Sequence, residues 1–179
     1  MIDTTHRRNS PGIRPIRNGP ARREGALTLE LVLVLPMLLV MILAVVQFGQ
    51  YLANVQELAL AARVGGEEAA ISANLPTTEG APVPSAVVTA IDQQLLAAGI
   101  VHRMIVLEHN VGRHQVSLVT PPGADPPPKL ASVPPGQYVR VLIIVPKSEV
   151  MPNLLKTLGL NLVMPDSTTL VSYVMKHEG

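Results

Sequence analysis

The chain contains no cysteine and no tryptophan, and only one phenylalanine and three tyrosines. Each shortage closes a class. Without cysteine there is no disulfide framework, and the lipid-anchoring route that acylates a cysteine is closed. With so few rings there is no platform on which nucleic-acid bases could stack, so no nucleic-acid partner is expected. Catalytic signatures are missing as well: there is no H-E-x-x-H, no paired Cys/His spacing, no G-x-S-x-G elbow and no glycine-rich loop ending in lysine. Nor is there a second apolar run long enough to cross a bilayer, which excludes a multi-pass membrane protein.

The one long apolar run extends from Leu27 to Phe48, 22 residues dominated by Leu, Val, Ile and Met and interrupted by Thr28, Glu30, Pro36 and Gln47. At a rise of about 1.5 Å per residue it makes a helix of roughly 33 Å, enough to cross a hydrocarbon core of about 30 Å. A mean hydropathy of +0.33 for the whole chain reflects this one segment. A secretory signal is the competing reading, and Ala59-Leu60-Ala61 has the small-x-small form of a cleavage site. A signal's apolar core is only about 7 to 15 residues, however, and this run is longer and lies far from that triplet. Arg7, Arg8, Arg14, Arg17, Arg22 and Arg23 precede the run, whereas Glu57, Glu67 and Glu68 outnumber Arg63 beyond it. The positive-inside rule therefore predicts a cytoplasmic N-terminus, a single pass and an extracytoplasmic remainder. Phe48 and Tyr51 fall where interfacial aromatics are expected.

Glu30 is the unusual residue of the span, because an ionisable group in hydrocarbon is costly and marks a function. Gly25, small and preceded by the basic pair Arg22-Arg23, stands just before it. If the chain were cut between Gly25 and Ala26, the new amino group on Ala26 would lie one helical turn from the Glu30 carboxylate, where the two charges could neutralise each other within a chain or between neighbouring helices. Pro36 removes one backbone hydrogen bond inside the span and is expected to kink it.

A basic leader, Gly25, four residues, Glu30 and an apolar helix together resemble the type IV prepilin signal. The stretch REGALTLELVLVLPMLLVMILAVVQFGQYLANVQELALAARVGGEEAA is similar to the TadE-like pseudopilins of tight-adherence (Flp) pilus systems, and the C-terminal TTLVSYVMKHE is similar to that family's closing strand. This resemblance implies cleavage after Gly25 by a prepilin peptidase and assembly through Glu30. It also implies residence in the bacterial inner membrane with a periplasmic C-terminal domain, as a minor component of a pilus or secretion machinery. The implied partners are the peptidase, other pilin or pseudopilin subunits and the inner-membrane assembly platform; no cofactor and no enzymatic activity are implied.

Four regions follow: a basic leader over 1–25, a transmembrane helix over 26–48, its extracytoplasmic continuation over 49–75, and an α+β domain over 80–179. In the continuation, Leu52, Val55, Ala59 and Ala62 recur at helical spacing and predict an apolar stripe, weakened at Gly65-Gly66 and ended at Leu75-Pro76. After a loop from Pro76 to Pro84, Ser85 is expected to cap a helix with Val88, Ile91, Leu95 and Ala98 on one face and Gly99 as its stop. The period then changes to two. Met104–His109 and Arg113–Thr120 read as a hairpin turning at Asn110-Val111-Gly112, and the β-branched run Tyr138–Val145 as the central strand. Residues 121–136 hold seven prolines and read as a loop or partner-binding strap. Ser148–Leu158 is expected to form a short helix interrupted at Pro152, and Thr168–Lys176 to close the sheet. The fold class is α+β, with a long N-terminal helix, a second helix and a small antiparallel sheet.

His102, Glu108, His109 and His114 all lie in or near the hairpin and invite comparison with a metal site. Alternation places Glu108 and His109 on opposite faces, so no metal is expected and these residues read as solvent-facing strand positions. Glu67-Glu68 are adjacent on a helix, point apart and read as a solvated face. A membrane-anchored binding or sensor domain is the alternative function. A sensor would need a cytoplasmic output domain, for which 24 residues are too few.

Overall fold

The computed structural model describes residues 21–111, 114–125, 138–164 and 166–177. The leader before Ala21, the Gly112 of the expected turn and most of the proline-rich stretch lie outside the described residues. The chain divides into two units, Met1–Leu39 and Val40–Gly179. One helix, α1 (Ala21–Ile71), runs without a break through both, with Pro36 inside it.

In the second unit α1 is followed by α2 (Ser85–Ala97), β1 (Met104–Val111), β2 (His114–Thr120), β3 (Tyr138–Pro146), a one-turn helix α3 (Lys147–Val150), a 3-10 turn (Leu154–Leu158) and β4 (Thr168–Lys176). The strands form one antiparallel sheet in the order β2-β1-β3-β4. Fold class and strand set agree with the expectation. The β-branched run is an inner strand, and the short helical stretch is broken at residues 151–153 around Pro152. The hairpin differs: Asn110 pairs with Gln115 and Val111 with His114, so both belong to the ladder rather than to the turn.

The main core lies between the helices and one face of the sheet. It joins Leu58, Ala61 and Ala62 of α1 and Val87, Ile91 and Leu95 of α2 to Ile105, Leu107, Leu118, Val141 and Ile143 of the strands. The stripe on α1 is rotated from the one expected: Val55 and Ala62 face the core, but Leu52 and Ala59 are exposed, and the line runs through Leu58, Ala61, Gly65 and Ala69. Close approach decides this. A Cβ on Gly65 would sit 2.6 Å from the Ile91 Cδ1, and one on Gly66 would sit 2.9 Å from the Tyr173 Cδ1. The glycines expected to weaken the helix are where α2 and β4 come nearest to it.

α1 also ends earlier than expected, at Ile71 rather than at Leu75-Pro76. Ser72 Oγ donates to the Glu68 carbonyl at 2.9 Å and its N–H to the Ala69 carbonyl at 3.3 Å, taking up acceptors of the last turn. α2 begins at Ser85, but Pro84 occupies its cap position and no side chain caps it. Val87 is fully buried where Val88 was expected to lead the face. Its end follows the expectation: Gly99 has φ +72°, its N–H bonds the Leu96 carbonyl at 3.1 Å and the Ile100 N–H bonds the Leu95 carbonyl at 3.0 Å, the pattern of a glycine helix stop.

The outer rim of β2 is covered by the loop before α2. Gly80 N–H donates to the Ser117 carbonyl at 2.8 Å, Val119 N–H to the Ala81 carbonyl at 2.9 Å, and Ser117 N–H to the Glu79 carboxylate at 3.0 Å. That loop protects an edge strand that would otherwise present unpaired groups. A second cluster of Val106, Val119 and Leu142 lies on the sheet face away from the helices.

Candidate processing and assembly helix

From Leu27 the helix is built mainly of Leu, Val, Ile and Met, which carry no polar group to compete with its backbone hydrogen bonds, and every residue from Leu27 to Leu39 is exposed; Val40, Leu43 and Ala44, on the face that leads into Gln47, are half-buried. Leu27, Leu33, Met37 and Val45 expose 66%, 71%, 69% and 71% of their surface. A helix that is apolar all round and, over residues 27–39, uncovered on every side needs lipid or other helices around it. By length and composition it is the one candidate span among the described residues.

Gly25 and Ala26 are both helical, and Gly25 is exposed with open space where a Cβ would stand. Ala26 and Glu30 are four residues apart in one helix and so share a face. Glu30 is exposed and makes no hydrogen bond or ion pair with a described residue. Pro36 lies one and a half turns further on; its ring nitrogen cannot donate to the Val32 carbonyl, which is left open within the helix.

The polar residues tested for metal binding are dispersed. His102 Nδ1 contacts the Glu149 carboxylate, His109 Nε2 meets the Pro76 carbonyl at 2.8 Å, and His114 is exposed on β2. Among the described residues no three His, Cys, Asp or Glu side chains converge. Glu108 and His109 correct the solvent-facing expectation, since both are buried. Glu108 stands opposite Arg140 across the β1–β3 ladder and accepts its Nε–H at 2.5 Å. The sequence signal was available in principle: these are the lone acidic and basic residues of the two most apolar strands, and pairing those strands brings them together.

Glu149 holds another contact that spacing does not show. Its carboxylate accepts the N–H groups of Val101 at 2.8 Å and His102 at 3.2 Å besides meeting the His102 ring. Burial pushes its pKa up, but the hydrogen bonds from His102 and Val101 outweigh that and hold it below its ordinary value. Gln47 and Asn54, two turns apart on α1, were also missed. Gln47 is fully buried and its Oε1 accepts the Leu155 N–H at 3.3 Å, while Asn54 Nδ2 donates to the Val150 carbonyl at 2.8 Å. Tyr51, expected at an interface, packs against the main core instead, whereas Phe48 is exposed.

Residues 25–67, from Gly25 to within four residues of the end of α1, match the family model described as TadE-like protein. This segment of the chain is similar to TadE-like proteins. The match contains both Gly25 and Glu30 and stops before α2 and the sheet. No curated protein and no solved structure matches the chain. A TadE-like helix fits pilus assembly, a structural role, and its uncovered apolar surface fits a single-pass membrane anchor.

Proposed function

We propose that this protein is a minor pseudopilin-like component of a tight-adherence pilus or secretion machinery, assembled through α1. The observation that carries the reading is a TadE-like helix whose residues 27–39 are almost all apolar and exposed on every side, and which bears there one carboxylate, Glu30, without a described partner. In this reading the helix crosses the bacterial inner membrane with residues 1–25 in the cytoplasm and residues 49–179 in the periplasm. A prepilin peptidase cuts after Gly25, whose missing side chain leaves the backbone accessible. The freed ammonium of Ala26, on the same or a neighbouring subunit, then neutralises Glu30. Their attraction is strong because the surrounding dielectric is low. The open Val32 carbonyl at Pro36 gives the helix a place to bend as subunits pack. Other pilin or pseudopilin subunits and the inner-membrane assembly platform are the partners.

N-terminal sequencing of protein extracted from membranes tests this. The mature chain is expected to begin at Ala26, and Gly25→Leu to retain the leader. If wild type and variant both begin at Met1, processing does not occur and the protein is a plain anchor, the arrangement a membrane-bound binding or sensor domain would have.

A further inference from the structure

The segment after α3 runs along α1 toward its apolar end. Val150 is tied to Asn54 and Leu155 to Gln47, so six residues descend two helical turns, about 10 Å along the axis. Gly159, at φ +81°, then turns the chain, and the Leu160 N–H returns to the Leu155 carbonyl at 3.0 Å, which keeps Leu160 level with Gln47. Gln47 adjoins the exposed Phe48 at the end of the apolar run. Around and after this point the chain displays Leu158, Leu160, Leu162 and Met164, exposed by 44%, 48%, 45% and 74%. Outside α1 the other exposed large apolar side chains among the described residues are Val174 and the pair Leu96 and Val101, which line one small pocket together. Val150, Met151 and Leu155 are buried and anchor the segment, so its apolar display is held in place rather than free to fold inward.

From this we infer that residues 156–164 form a second membrane contact, an apolar loop that dips into the outer interface of the bilayer beside the span. Continuity chooses lipid as the occupant, because the patch adjoins the point where α1 changes from exposed apolar residues to packed ones. Lys156 in the same segment suits an anionic headgroup while its neighbours enter the acyl boundary. Two contacts fix the orientation of Val40–Gly179 on the membrane, which one helix alone would leave free to rotate.

The absence of native cysteine allows single reporters in the full-length chain. Leu160→Cys, Met164→Cys, Ile42→Cys and Thr77→Cys are each labelled with an environment-sensitive fluorophore and reconstituted in phosphatidylethanolamine–phosphatidylglycerol vesicles containing a lipid with a nitroxide high on its acyl chain. Labels at 42, 160 and 164 are expected to be quenched several-fold more than the label at 77. If 42 is quenched but 160 and 164 behave like 77, the loop does not touch lipid and the inference is overturned while the anchor stands. If 42 is also unquenched, the helix is not a span and the reading on which this one rests fails. A label at 160 or 164 that is shielded from water, unquenched by lipid and sensitive to the protein-to-lipid ratio overturns it in favour of a protein neighbour.

Discussion

The two halves of α1 are both apolar, yet they are built from different residues. Toward the N-terminus the helix carries Leu, Val, Ile and Met on every side and buries none of them. In the outer half the buried line is Leu58, Ala61, Ala62, Gly65, Gly66, Ala69 and Ala70, small residues with a single large one. Side-chain size thus records the neighbour: lipid is served by bulk in all directions, whereas α2 and a sheet at close range are served by its absence along one stripe. Carboxylates divide the same way. Glu108, between apolar strands, is answered within the chain by Arg140, while Glu30, on an apolar helix, is answered by no described residue. That contrast is the reason Glu30 rather than Glu108 is proposed for assembly.

The largest effect is expected from removing that unanswered charge. Glu30→Leu should insert at least as well as wild type, since it makes the span more apolar, and should lose co-purification with other pilin-like subunits altogether. Thr28→Val, two residues away, is the control that changes polarity without touching the carboxylate. Equal recovery of partners by both variants would leave Glu30 without a role in assembly.

For the answered charge the effect falls on stability. Glu108→Ala takes away the carboxylate facing the buried Arg140 guanidinium and should cost about 3–5 kcal/mol, measured by urea unfolding of the full-length protein in detergent. Replacing both residues by apolar ones of similar size should restore most of the loss. A Glu108→Ala cost no greater than that of exposed Glu67→Ala would mean that the pair is solvated and the contrast with Glu30 is empty.

Two glycines test the halves of the helix on a finer scale. Gly65→Leu drives a side chain into Ile91 and should destabilise by about 1–3 kcal/mol. Gly49 is exposed with nothing near its would-be Cβ, so Gly49→Ala should be neutral or stabilising by up to about 1 kcal/mol through helix propensity. Similar losses at both would show that the stripe has been drawn on the wrong face.

What a single sequence could reveal follows the same line between local and distant causes. The span, the spacing of Gly25 and Glu30, the closing strand Thr168–Lys176 and the Gly99 stop are local patterns, and each is readable without knowing the neighbours. The burial stripe on α1 differs at Leu52 and Ala59 because Leu52, Val55, Leu58, Ala59, Ala61 and Ala62 allow more than one apolar line at helical spacing, and the choice among them is made by where α2 and the sheet pack. Glu108 and His109 were read as solvent-facing because the β1–β3 register that gives them Arg140 and the Pro76 carbonyl is a tertiary fact. Likewise α1 stops where the Ser72 hydroxyl reaches back to Glu68, a side-chain competition that outruns the proline signal four residues on. Gln47 and Asn54 stood out only as polar interruptions until the 150–155 segment supplied their partners.

Glu149 offers the smallest and most discriminating test, since it is a third carboxylate whose partners are mostly backbone N–H groups at the rim of the domain. It joins α3, which leads into the apolar loop, to the residues before β1. Its pKa is lowered from the ordinary 4.5, so its stabilisation is fully present above the unfolded value and disappears as pH falls through the lower folded one. Glu149→Gln should therefore reduce stability at neutral pH by less than about 1 kcal/mol, because the group is near the surface and screened. The gap between wild type and variant should close as pH falls below the region of pH 4.5. Urea midpoints of the full-length protein in nonionic detergent across that range measure it. A gap that widened below that region would carry the opposite sign, meaning that burial rather than hydrogen bonding governs Glu149 and that its hold on the Val101–His102 backbone is weaker than its geometry implies.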